Sequence, residues 1–160
     1  ELEDWRDAEP QLFHPGDLEY IHSVERISKL SNVISINGGV QLDLMGQENA
    51  ESTGTRQLSG VGGQMDFLEG AYRSKGGKGF ICINSSRVTK DGERKSNILA
   101  TIPGGSTISA PRTMIQYVAT EYGIASLSGK TLRERAEAMA SIAHPDFREE
   151  LMKYAQENFK

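Results

Sequence analysis

At 160 residues, with 37% hydrophobic and 25% charged residues, the chain fits one globular domain with a real core and excludes a disordered polymer. Eighteen basic against 22 acidic residues leave a net charge of −4, which argues against bulk attraction to nucleic acid or an acidic membrane surface. Apolar runs such as Phe80–Ile83 are far too short to span a bilayer, and a single cysteine, Cys82, excludes a disulfide framework and suits a reducing cytoplasm. The opening residues are acidic and polar, unlike a secretory leader, and Glu1 stands where an initiator Met would, as expected for a piece of a longer protein.

In chain order, residues 1–17, with Pro10 and Pro15, read as an irregular lead-in or inter-domain linker, and residues 18–160 as the domain proper. Ile21, Val24, Ile27 and Leu30 recur at near-helical spacing and predict a helix from about His22 to Leu30. Val33–Asn37 predicts a short strand, and the alternation of Val40, Leu42 and Leu44 with Gln41 and Asp43 predicts a half-buried one. Met65–Ala71 is a candidate helix, and Gly79–Ile83 reads as a central strand with Cys82 a buried structural thiol. Asn97–Ile102, Thr107–Ala110 and Tyr117–Glu121 are further strand candidates between Gly, Pro and polar breakers.

Thr131 followed by Glu134 fits a capping box, with Leu132, Ala136, Met139 and Ala143 on one helical face. His144-Pro145 ends that helix, and Asp146 is expected to cap the next, which turns Phe147, Leu151 and Tyr154 inward. Strands interleaved with helices predict an α/β domain with a mixed or mostly parallel sheet flanked by helices.

The most unusual segment is Ser59–Phe67 (SGVGGQMDF), with three glycines in four positions ahead of a candidate helix. Such a loop is either a tight turn or a set of backbone N–H donors for a phosphate, a carboxylate or a developing oxyanion. The dinucleotide fingerprint fails because Met65 stands where its last glycine belongs, and a P-loop reading of Gly129-Lys130-Thr131 fails because Ile124 occupies the required glycine position. His14, His22 and His144 lack metal-ligand spacing, so no metal site is expected. Seven basic residues between Arg73 and Lys95 form either a solvated loop and hairpin tip or a site for a small polyanion. Glu121, at a predicted strand end, is either a catalytic carboxylate or one tied to local backbone donors.

Taken together, VISIN at Val33–Asn37, VQLDLMG at Val40–Gly46, NAESTG at Asn49–Gly54, SGVGGQMDF, SKGGK at Ser74–Lys78, VATEYGIA at Val118–Ala125, GKTLRERA at Gly129–Ala136 and IAHPDFREEL at Ile142–Leu151 occur in an order that strongly resembles the C-terminal domain of the acetyl-CoA hydrolase/transferase family. The branch it most resembles is that of the 4-hydroxybutyrate CoA-transferases. The resemblance implies an acyl-CoA:carboxylate CoA-transferase working through a glutamyl-CoA intermediate, or alternatively an acyl-CoA hydrolase or a non-catalytic CoA-binding module. It implies coenzyme A as co-substrate without a permanently bound cofactor. The implied partners are an acyl-CoA, a small carboxylate, the chain's own N-terminal domain and further copies of the full-length protein.

The nucleophilic Glu belongs to a motif that this chain lacks, so the chain is expected to hold half a site and to be inactive alone, with an apolar patch where the other half docks. By position, Gly63 is implied as the oxyanion donor, through its backbone N–H. Ser59, Gly60, Gly62, Gln64 and Lys90 join Gly63 in the implied CoA contacts. A side chain at 63 is expected to displace the loop or force an unfavourable φ. Tyr20-Ile21-His22-Ser23 departs from the family's Asn-containing run, so His22 or Ser23 is expected either to influence the site or merely to start a helix.

Overall fold

A computed structural model describes residues 2–159. The order is α1 (Leu2–Ala8), a 3-10 turn (Pro10–Leu12), α2 (Leu18–Ile21), α3 (Val24–Lys29), β1 (Ile34–Gly38), β2 (Gln41–Asp43), β3 (Glu48–Asn49), β4 (Ser52–Thr53) and β5 (Arg56–Gln57). There follow α4 (Gln64–Arg73), β6 (Lys78–Cys82), β7 (Ser86–Val88), β8 (Arg94–Ser96), β9 (Ile98–Leu99), β10 (Tyr117–Thr120), β11 (Gly123–Ser126), α5 (Leu132–Ser141) and α6 (Pro145–Asn158). The main sheet runs β1-β6-β10-β11, parallel except for the final hairpin pair. A second small sheet, β3-β2-β9, and the hairpins β4–β5 and β7–β8 complete the strands among the described residues.

Strand alternation divides the main sheet into two unlike faces. Ser35, Gly79, Ile81, Val118 and Ala125 are buried on the face that α4 and α5 cover, and Leu68 of α4 packs directly over Gly79. The register puts Ile34, Ile36, Phe80, Cys82, Tyr117, Ala119 and Ile124 on the opposite face. There Ile36 is 69% and Ile124 64% exposed, while Phe80 stacks on Tyr117 at 4.9 Å between centroids. Cys82 is therefore exposed, against the buried position expected from its apolar neighbours.

Several local expectations shift for physical reasons. Residues 2–8 are helical rather than irregular, with Glu3 and Asp4 in the first turn, although no residue of α1 is buried. The helix predicted from about His22 to Leu30 forms as α3 and starts two residues later: His22 closes α2, and the Ser23 hydroxyl caps α3 by accepting from Arg26 N–H at 3.4 Å. The β2 strand does not alternate; Gln41, Leu42 and Asp43 are all buried, because β3 and β9 flank it and the Asp43 carboxylate accepts from the Gln47 N–H and side-chain amide. Thr107–Ala110 is not a strand and contributes only a bridge from Ala110 to Glu48. Asn97–Ile102 shortens to the two residues of β9.

At the C-terminal end the Thr131–Glu134 capping box forms, with Thr131 N–H donating to Glu134 Oε2 at 2.7 Å. Leu132 remains 41% exposed, while Ala136, Met139 and Ala143 are buried. His144 rather than Asp146 caps α6, its Nδ1 accepting from Asp146 N–H at 3.3 Å while Pro145 takes the first helical position.

Candidate active site

The parallel strands fix where chemistry gathers. Helix α4 packs on β1 and β6 and its C-terminal end leads into β6, so its N-terminus and the glycine loop before it lie at the carboxyl end of the sheet, where α/β folds hold their ligands. A cleft of about 420 Å³ opens at that end, lined by Gly39, Cys82, Ile83, Asn84, Ala119 and Thr120. A larger cleft of about 590 Å³ between α2 and α3 is lined by Tyr20, Arg26, Leu30 and their neighbours, and neither cleft is lined by Ser59, Gly60, Gly62, Gly63, Gln64 or Lys90. The site is therefore built from its chemistry, not from the size of a depression.

Within the loop the two key glycines do different jobs. Gly62 has φ +60°, a left-handed conformation that glycine adopts without penalty. Gly63 is the helix N-cap at φ −90° and ψ 11°, an ordinary φ for any residue, so the expected φ penalty falls on position 62 instead. What requires glycine at 63 is space: a Cβ there would collide with the His22 ring. That ring packs edge-on against Phe67 at 5.0 Å, and its Nδ1 lies 3.6 Å from Asp66 Oδ2. His22 thus packs against the loop at Gly63, while Ser23 starts α3 as its N-cap.

No side chain caps α4, so its first-turn N–H groups remain open to an anionic oxygen. The site residues read from the sequence divide accordingly. Ser59, Gly60, Gly62 and Gly63 run continuously into this N-terminus, and Ser59 N–H donates to the Glu51 carbonyl at 3.3 Å. Gln64 is buried and its side-chain amide donates to Glu48 Oε2. Lys90 lies apart from them, exposed at the tip of the β7–β8 hairpin, where Gly92 N–H closes the turn on the Thr89 carbonyl at 3.0 Å.

The basic stretch also divides. Arg73, Lys75 and Lys78 lie between the C-terminal end of α4 and the start of β6, whereas Arg87, Lys90, Arg94 and Lys95 follow β6 at its carboxyl end. A five-residue strand separates the two groups by about 17 Å, too far for one small anion to engage both. In the second group Arg87 donates to Asn97 Oδ1 at 2.6 Å and Lys95 lies 3.1 Å from Glu93, while Lys90 makes no hydrogen bond or ion pair among the described residues.

Glu121 is tied down. Its carboxylate accepts from Ser85 N–H at 2.9 Å and Ser85 Oγ at 2.6 Å, which ties the end of β10 to the segment after β6. Desolvation, the largest single influence, pushes its pKa up, but the Ser85 and backbone hydrogen bonds together hold it below the ordinary carboxylate value. Glu48, which the sequence reading missed, is fully buried behind the cleft. Burial pushes its pKa up to about 7, opposed by the Gln64 hydrogen bond. Glu48 sits in the polar run Gln47–Ser52, where hydrophobic patterning carries no signal; the Gly38-Gly39 pair is the one hint that something approaches the backbone closely. No cluster of three or more His, Cys, Asp or Glu able to hold a metal occurs among the described residues, and none of their helices is long and apolar enough to cross a membrane.

The acetyl-CoA hydrolase/transferase C-terminal domain family matches residues 1–155. Butyryl-CoA:acetate CoA-transferase of Anaerostipes caccae is 44% identical over 97% of this chain and 34% of its own length. The 4-hydroxybutyrate coenzyme A transferase of Clostridium kluyveri is 47% identical over 89% of this chain and 32% of its own. The crystal structure of 4-hydroxybutyrate CoA-transferase from Porphyromonas gingivalis superposes with a TM-score of 0.69 at 40% identity, covering 88% of this chain and 30% of that one. The chain thus spans about a third of the length of the relatives it matches.

Proposed function

Because the chain belongs to the acetyl-CoA hydrolase/transferase family through its C-terminal domain, we propose that it forms the C-terminal part of a cytoplasmic acyl-CoA:carboxylate CoA-transferase. The observation that carries the reading is the uncapped N-terminus of α4 behind the glycine loop, at the carboxyl end of the sheet in a chain of this family. A glutamate carboxylate supplied by another part of the protein attacks the thioester carbonyl. Negative charge builds on the carbonyl oxygen, and the Gly63 N–H donates to it; as the C–S bond breaks, an acyl-glutamyl anhydride and CoA thiolate form. The thiolate then attacks the glutamyl carbonyl, releasing the acyl group as a carboxylate and leaving glutamyl-CoA. An incoming carboxylate runs the two steps in reverse and leaves as its CoA ester. Ser59, Gly60, Gly62 and Gln64 shape the CoA-facing loop, and Lys90 offers an unengaged ammonium to a phosphate.

The open face of the main sheet belongs with this reading. Sheets of parallel strands are ordinarily covered on both faces, and Ile34, Ile36 and Ile124 leave an apolar surface uncovered here. The curated relatives carry about twice as much chain again as this one, and we assign that additional chain to this face. Cys82, on the same face, reports on it: its thiol should react readily with a maleimide in the 160-residue chain and resist in the full-length protein. Equal reactivity in both would remove the assignment.

The test of function uses the full-length protein with butyryl-CoA and acetate. Formation of acetyl-CoA, and a borohydride-trapped glutamyl-CoA thioester outside this chain, support the reading. CoA release to water irrespective of acetate would establish the hydrolase alternative, and binding without turnover a non-catalytic module.

A further inference from the structure

We propose that Glu48 is a positioning residue for the glycine loop, holding the first turn of α4 through Gln64 and reorienting the Gly63 N–H when its own charge changes. The proposal rests on the CoA-transferase reading for its catalytic consequence but not for its geometry. Glu48 is buried, its Oε2 accepts from the Gln64 side-chain amide, and its Oε1 has no hydrogen-bond partner. The close fit extends to the cleft: a Cβ on Gly39 would fall 2.6 Å from Glu48 Oε1 and 3.0 Å from Ile83 Cγ2. Gly39 and Ile83 both line the cleft, so the unpartnered oxygen lies just behind its wall. Gln64 is the residue immediately after Gly63, and a change in the pull on its amide passes directly to the helix N-cap.

The surrounding charges do not quench this carboxyl. Asp43 on β2 is engaged by Met45 N–H, Gln47 N–H and the Gln47 amide, and Asp66 on α4 faces His22. Burial places the midpoint of Glu48 at about 7, within the range where a cytoplasmic enzyme works. The neutral carboxyl escapes the cost of burying a charge and still accepts the Gln64 bond. The carboxylate, without a cation to pair with, pulls harder on Gln64, its one hydrogen-bond donor.

The experiment follows the amide resonances of Gly62, Gly63 and Gln64 in the 160-residue chain from about pH 5.5 to 8.5, in a His22→Gln background so that no imidazole adjoins the loop. The proposal expects a shift with midpoint near 7 that disappears in Glu48→Gln, which keeps an acceptor and cannot ionise. In the full-length protein the same substitution should remove a limb of the kcat–pH profile centred near 7, with KM changed less than about twofold. Glu48→Ala, which loses the bond altogether, should lower kcat about three- to tenfold at all pH values. Loop resonances that do not titrate, or that titrate alike in Glu48→Gln, would overturn the proposal, as would an unchanged kcat profile in that variant. A titrating loop in a full-length protein without CoA transfer would instead sink the functional reading and leave the positioning role standing.

Discussion

Glu48 and Glu121 stand at the same end of the main sheet and respond to it in opposite ways. Glu121 is exposed, yet two hydrogen bonds from Ser85 hold its carboxyl below the ordinary value. Glu48 is buried with a single donor, and its pKa rises to about 7. Donor count against burial, rather than position near the cleft, separates a carboxylate that braces the fold from one able to change charge in use. The same contrast distinguishes the two halves of the candidate site. The segments around Ser85 and Glu121 are internally satisfied, whereas the glycine loop presents uncapped N–H groups and leans on a group that titrates.

The largest effect belongs to the open half. Gly63→Val in the full-length protein should lower kcat by roughly 10²–10³, or about 2.7–4 kcal/mol, with CoA-ester affinity less affected. Because Val keeps the backbone N–H and its side chain strikes the His22 ring, displacement of the donor is the expected cause, which the double variant with His22→Ala should relieve. Recovery of near-normal kcat in the double variant would assign the defect to the clash.

Glu48 comes next. Its folded pKa of about 7 lies above the ordinary 4.5, so between these values the native state holds a proton that the unfolded state has lost. Stability should therefore fall as pH rises through this window, by up to about 3 kcal/mol, and level off above it. Urea denaturation at pH 5 and pH 8 measures this, and Glu48→Gln should flatten the difference. A stability that rises across the window in both proteins would break the contrast with Glu121.

Lys90→Ala should raise KM for the CoA ester by an amount equivalent to at most about 1.5 kcal/mol, the low end for an exposed charge-assisted contact, and the effect should shrink as salt rises. The smallest change is expected for Glu121→Gln, under about 1 kcal/mol in stability given its exposure. The sign is opposite to that of Glu48, since this carboxylate contributes above its unfolded pKa and loses its contribution as pH falls.

The parts legible in the sequence are those governed by local rules. The Thr131–Glu134 capping box, the strand at Lys78–Cys82 and the helix behind the glycine loop follow from neighbours within a turn or two. Which face of a strand is covered is not local. Phe80 and Cys82 look as buriable as Gly79 and Ile81, and only the docking of α4 on the latter pair decides between them. Helix α1 escaped notice because it buries nothing and so lacks apolar periodicity. The glycine loop was visible as a motif, but the division of labour between Gly62, set by φ, and Gly63, set by His22, depends on a contact 41 residues apart in the chain. Glu48 was invisible because burial of a polar run comes entirely from tertiary packing.

The central claim is that the loop Gly60–Gln64 faces the acyl-CoA, and backbone hydrogen exchange in the full-length protein, with and without butyryl-CoA, tests it most directly. Slowed exchange at the amides of Gly62 to Met65 on ligand addition, with the Ser85–Glu121 brace unchanged, is the predicted result. Protection elsewhere in the protein with no change at this loop would contradict the account.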